Sequence, residues 1–93
     1  MLNTAVIGLG WWGRQIISSL DGSDRLKVVR AMDINSNEGG NYAGTMGIPF
    51  TSSYEEVLKD PNIDAVIIVT PHSLHEEQVL AAASAGKQIF CEK

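Results

Sequence analysis

Ninety-three residues make one small domain, and with 44% hydrophobic and 19% charged residues the composition is that of a soluble globular chain rather than a disordered, collagenous or disulfide-built one. A net charge of −4 with only seven scattered basic residues speaks against nucleic acid as a partner, and no apolar run nears the roughly 18 residues that a bilayer span needs. The single cysteine, Cys91, cannot form an internal disulfide and has no second cysteine beside it for a zinc site; with no secretion signal at the N-terminus, a cytoplasmic location is expected.

The first element is the apolar run Thr4-Ala5-Val6-Ile7, which ends in glycines at 8, 10 and 13 and then gives way to Gln15-Ile16-Ile17-Ser18-Ser19-Leu20, apolar at helical spacing. A buried strand, a tight turn and a helix of about two turns follow from that pattern. In such a unit Gly8 permits the turn, Gly10 lets a pyrophosphate approach the backbone, and Gly13 lets the helix pack on the strand. Unpaired N–H groups and the positive dipole end of the helix then face the anion. Trp11 and Trp12 fill the variable positions of the loop, with backbone N–H groups toward phosphate; packing against a neighbouring surface is what their side chains suggest.

Leu26–Met32 reads as a second strand and completes a βαβ unit. Asp33 follows, twenty residues beyond Gly13, at the spacing where a carboxylate accepts hydrogen bonds from an adenosine ribose and repels a 2′-phosphate; an aspartate that merely ends a strand is the plainer alternative. NAD is therefore expected over NADP, although Asn35 and Ser36 could help accommodate a phosphate. Gly39, Gly40 and Gly44 would together cost a helix about 3 kcal/mol against alanine, which predicts only a short or frayed helix near Asn41 to Met46. The alternative is that these glycines yield space to an adenosine.

Ile48-Pro49-Phe50-Thr51 predicts a short edge strand, because proline lacks a ladder donor. Ser53-Tyr54-Glu55-Glu56 fits a capping box that opens a helix to about Lys59. The β-branched run Asp64–Thr70 is a central strand apolar on both faces. After Pro71-His72 a helix is expected from about Ser73 to Ala85, stopped by Gly86, then a fifth strand at Gln88–Cys91 with Cys91 as a small buried hydrophobe. Five strands alternating with helices imply a doubly wound α/β parallel sheet of order 3-2-1-4-5. Its polar signals all fall at the carboxyl ends of strands: the glycine loop, Asp33, Thr70-Pro71-His72 and Glu92-Lys93 should line one crevice.

Taken together, Gly8-Leu9-Gly10-Trp11-Trp12-Gly13, Asp33, the run from Ile63 to Pro71, His75, and Ala85-Gly86-Lys87 leading to Glu92-Lys93 resemble the N-terminal part of the Gfo/Idh/MocA oxidoreductases over essentially all 93 residues. The resemblance implies a Rossmann-like NAD(P)-binding domain over residues 1–93, truncated after its fifth strand, with the substrate domain absent. It implies hydride transfer between nicotinamide and a sugar, cyclitol or related polyol. Gly8, Leu9, Gly10, Trp11, Trp12, Gly13, Asp33, Thr70, Pro71, His72, His75 and Glu92 would bind cofactor, and Lys93, matching the lysine of the family's Glu-Lys-Pro motif, would be catalytic by hydrogen bonding to the reacting oxygen. His72 departs from the family's frequent asparagine, which leaves only a backbone contact there, and His75 on its own also fits a surface or helix-capping role. No metal site is implied.

Two other classes stay open. A non-catalytic nucleotide-binding or redox-sensing module would use its open sheet edge to associate with another chain, including a copy of itself. A methyltransferase that binds S-adenosylmethionine also begins with a glycine loop, but the G-x-G-x-x-G spacing and the Glu-Lys end speak against it.

Overall fold

The computed structural model describes residues 2–70 and 72–91, with the backbone alone for Ser36, His72 and Cys91. Five strands and four helices alternate: β1 Leu2–Ile7, α1 Trp11–Leu20, β2 Leu26–Met32, α2 Ser36–Met46, β3 Phe50–Thr51, α3 Tyr54–Lys59, β4 Ala65–Ile68, α4 His72–Ser84 and β5 Gln88–Cys91. All pairings are parallel, and the order is β3-β2-β1-β4-β5, as expected from right-handed crossovers. The order reverses between β1 and β4, which is where a doubly wound sheet opens its crevice.

Strand residues alternate between two cores. Val6, Ala31 and Ile67 pack with Ile17 of α1 and Ala43 of α2 on one face. Ala5, Ile7, Val66 and Ile68 pack with Val57 of α3 and Ala82 of α4 on the other. Every residue of β4 is buried, as a strand covered by helices on both sides requires.

The main departure from expectation is α2, which runs eleven residues through all three glycines instead of beginning near Asn41. Its ends are well closed. The Asn35 side chain accepts from the Glu38 N–H, and Gly47, at φ 70°, donates its N–H to Ala43 and Gly44 carbonyls. Within the helix, a Cβ on Gly39 would lie 3.0 Å from both Asp33 Cβ and the Phe50 ring. The close seat of α2 on the strand ends, together with its caps, overrides the local glycine penalty.

Smaller differences have local causes. The edge ladder is only Phe50–Thr51, but the Pro49 carbonyl still accepts from Ala31 N–H at 3.0 Å, so the proline contributes the one ladder group it has. The ladder of β4 is shorter than the apolar run Asp64–Thr70, and single bonds from Asp64 N–H to Asn3 and from Val69 N–H to Ile7 continue its pairing. Ser53 caps α3 through Glu56 N–H, while the Glu56 carboxylate takes the Thr51 hydroxyl instead of returning to Ser53. Helix α1, at ten residues, is longer than the two turns expected, and α4 begins and ends one residue early. Among the described residues no helix is long and apolar enough to cross a membrane.

Candidate functional site: a cleft at the strand carboxyl ends

The site is built from the ends of β1, β2 and β4. Gly8 leaves β1 at φ 101°, a backbone region that side-chain-bearing residues rarely enter. Its N–H donates to Met32 O at 2.8 Å, and the next N–H, that of Leu9, donates to Asp33 Oδ2 at 2.7 Å. The glycine loop and the carboxylate after β2 are thereby one hydrogen-bonded unit. Asp33 Oδ1 also accepts from Asn35 N–H at 2.9 Å, so each oxygen has one backbone donor. A carboxylate offers about four acceptor positions, which leaves room for two ribose hydroxyls.

The three glycines divide their roles. A Cβ on Gly13 would come within 2.0 Å of Gly8 O, so the helix can sit on the turn only if residue 13 has no side chain. A Cβ on Gly10 would meet nothing within 4 Å, although its backbone (φ −72°, ψ −166°) suits any residue. Gly10 is thus the N-cap of α1 with open space over its Cα and no side chain capping the helix, the arrangement that admits a phosphate to the first-turn N–H groups.

Beside the loop lies a cleft of 380 Å³ lined by Leu9, Gly10, Trp11, Arg14, Asp33, Asn35, Glu38 and Gly39. Its dimensions suit a nucleoside. Arg14 and Glu38 were not among the expected residues. Arg14 Nε donates to Leu9 O at 2.9 Å and its guanidinium lies 4.8 Å from the centre of the Tyr42 ring, so part of its donor capacity is spent on the loop itself. Its place directly after Gly13 was the available signal; Glu38, inside the glycine-rich stretch, offered none. Gly39 yields space to Asp33 and Phe50 and also forms part of the cleft wall.

Trp11 and Trp12 do not pack into the domain. They are 67% and 58% exposed and meet edge to face with ring centres 5.0 Å apart. The core side of α1 is taken by Gly13 and Ile17; at about 100° per residue, positions 11 and 12 fall away from it.

Thr70 closes the other side of the loop: its Cγ2 lies 3.1 Å from the place a Cβ on Gly8 would occupy. His75 is buried rather than on the surface, with Nε2 2.5 Å from Thr70 O. That carbonyl can only accept, so Nε2 carries the proton. His72 opens α4. Pro71, Glu92 and Lys93 lie outside the described residues, as does the Cys91 side chain. Among the described residues no three His, Cys, Asp or Glu side chains are grouped to hold a metal ion.

A parallel doubly wound sheet, a glycine turn into an uncapped helix and a carboxylate after the second strand together define a dinucleotide-binding domain of the Rossmann type. The family model for Gfo/Idh/MocA proteins, described as an oxidoreductase family with an NAD-binding Rossmann fold, matches residues 2–93, and the chain belongs to this family. It is 42% identical over 94 residues to the scyllo-inositol 2-dehydrogenase (NAD(+)) of Bacillus subtilis, covering 96% of this chain and 27% of that one. The NAD-binding protein from Listeria innocua superposes with a TM-score of 0.92 at 35% identity, over 99% of this chain and 27% of that one. GenD2 from gentamicin A biosynthesis, solved in complex with NAD, superposes with a TM-score of 0.93 at 27% identity, over 99% of this chain and 26% of that one. The chain spans about a quarter of the length of the curated relatives it matches.

Proposed function

We propose that this NAD-binding domain serves an oxidoreductase that moves hydride between the cofactor and a carbon of a sugar, cyclitol or related polyol. The observation that carries the reading is the hydrogen-bonded unit of Leu9 and Asp33 beside the open α1 N-terminus, which offers a ribose acceptor and a pyrophosphate seat within one cleft. The polyol class is supported by the Bacillus subtilis relative, whose name gives scyllo-inositol as substrate. NAD, when bound, supplies the hydride acceptor; this chain's residues bind and orient it. The cleft's two carboxylates, Asp33 and Glu38, outnumber its one cation, Arg14, whose Nε is held by the Leu9 carbonyl, and so disfavour a 2′-phosphate and favour NAD over NADP.

In this reading Thr70, Pro71 and His72 pass beside the cofactor through their backbone, His75 steadies that turn, and Glu92 positions the chain next to Lys93. The Lys93 ammonium donates a hydrogen bond to the substrate oxygen and stabilises the charge that builds there. Remaining substrate contacts belong to a second α/β domain, and the setting is cytoplasmic.

The test is a parallel titration of the folded 93-residue chain with NADH and NADPH, followed by quenching of Trp11 and Trp12. Saturable NADH binding between roughly micromolar and millimolar, with NADPH weaker, is expected, without turnover of any polyol. A folded chain that binds neither cofactor overturns the proposal.

A further inference from the structure

Thr70 stands where three elements meet. Its carbonyl accepts from His75 and its hydroxyl donates to Gln78 Oε1, both partners coming from α4. Gln78 is itself anchored, since its backbone carbonyl accepts from the Tyr54 hydroxyl of α3 at 2.7 Å. Toward the loop, Thr70 Cγ2 and N lie 3.1 and 3.2 Å from the position of a Cβ on Gly8. Threonine carries its hydroxyl and its methyl on one carbon, so a bond that fixes the hydroxyl also fixes where the methyl points. With the hydroxyl on Gln78, the methyl fills the space beside Gly8.

We propose that Gln78 is a positioning residue for the cofactor loop: by holding the Thr70 rotamer it keeps the methyl seated against Gly8 and so maintains the left-handed turn that aims the loop's N–H groups at the pyrophosphate. Gln78 meets Thr70 through the hydroxyl and lines none of the cleft around Asp33. Its influence therefore falls on the phosphate-binding turn and leaves the nucleoside cleft alone. The inference rests on the reading of the glycine loop as the cofactor's seat.

The experiment compares the 93-residue chain with Gln78→Ala, Gln78→Glu, Thr70→Val and the double variant Gln78→Ala/Thr70→Val. Amide hydrogen exchange without ligand is read at Gly8 and Leu9, with Ile48, whose N–H donates to Ala43 O in another part of the fold, as the reference. Gln78→Ala is expected to speed exchange at Gly8 and Leu9 about five- to tenfold while Ile48 stays as in the parent. Gln78→Glu, which keeps an acceptor for the Thr70 hydroxyl, restores the parent rates. The Kd for NADH should rise about five- to tenfold in Gln78→Ala while that for adenosine stays within about twofold, and adding Thr70→Val should bring no further loss. Equal acceleration at Ile48, unchanged exchange at Gly8 and Leu9, parallel weakening of adenosine, or failure of Gln78→Glu to rescue would each overturn the proposal. If the parent chain binds no NADH, the functional reading fails, and the exchange comparison still decides the role of Gln78.

Discussion

The Cα of Gly13 faces the carbonyl oxygen of Gly8 so closely that a Cβ there would stand 2.0 Å from it, while the same atom on Gly10 would meet nothing within 4 Å. Two glycines of one motif therefore stand in different surroundings, one pressed on by the fold and the other facing the open space that the proposed function gives to a pyrophosphate. Gly13→Ala must push α1 off the turn, and overpacking against backbone costs about 3 kcal/mol or more. Gly10→Ala should lower the thermal midpoint only slightly, because the backbone is unstrained although alanine caps a helix less well than glycine, yet weaken NADH more than about tenfold. Thermal melts and titrations on the two variants separate these outcomes.

Asp33 holds the loop and lines the cleft beside it. Asp33→Ser removes the carboxylate that receives Leu9 and Asn35 N–H, at an expected loss of about 1.5–3 kcal/mol in denaturant unfolding. It also removes one of two carboxylates from the cleft, so the ratio of NADPH to NADH affinity should rise by about tenfold or more. A ratio that does not move would assign Asp33 to the fold alone.

What could be read in the sequence was what is carried by short spacings. The glycine loop and Asp33 stood out because turn, helix and a carboxylate after the second strand follow at fixed intervals, and β2 and β5 appear where apolar runs placed them. The first half of helix α2 was hidden because propensity is local, whereas its support comes from Asp33 and from Phe50, eleven residues beyond Gly39. The partners of Gln78 and Tyr54 were illegible for the same reason: their bonds cross between α3, α4 and the end of β4. The exposure of Trp11 and Trp12 reflects which side of α1 meets the sheet, a matter that the glycines settle.

Lys87 belongs to the Ala-Gly-Lys stretch that supports the family resemblance, but its Nζ donates to the carbonyls of Asp60 and Ile63 at 2.7 and 2.6 Å and ties the start of β5 to the α3–β4 connection. Lys87→Met should cost about 1.5–3 kcal/mol of stability, the range for hydrogen bonds from a charged donor. NADH affinity should be unchanged, since the contact lies at the amino ends of β4 and β5, opposite the cleft. A selective loss of affinity with full stability would contradict this division of labour.

Tyr54 offers a pH signature of the packing behind Thr70. Burial pushes its hydroxyl up from 10.0 to about 12. The folded chain thus keeps the phenol proton more tightly than the unfolded chain, so this group's contribution to stability is complete below pH 10 and declines as pH rises from 10 toward about 12. Tyr54→Phe should lose about 0.5–1.5 kcal/mol at neutral pH through the missing bond to Gln78 O. The variant should also show a shallower decline in stability above pH 10 than the parent. Urea unfolding at pH 7, 9.5 and 11 tests both effects, and identical slopes in parent and variant across the alkaline range would show that Tyr54 is not the group responsible.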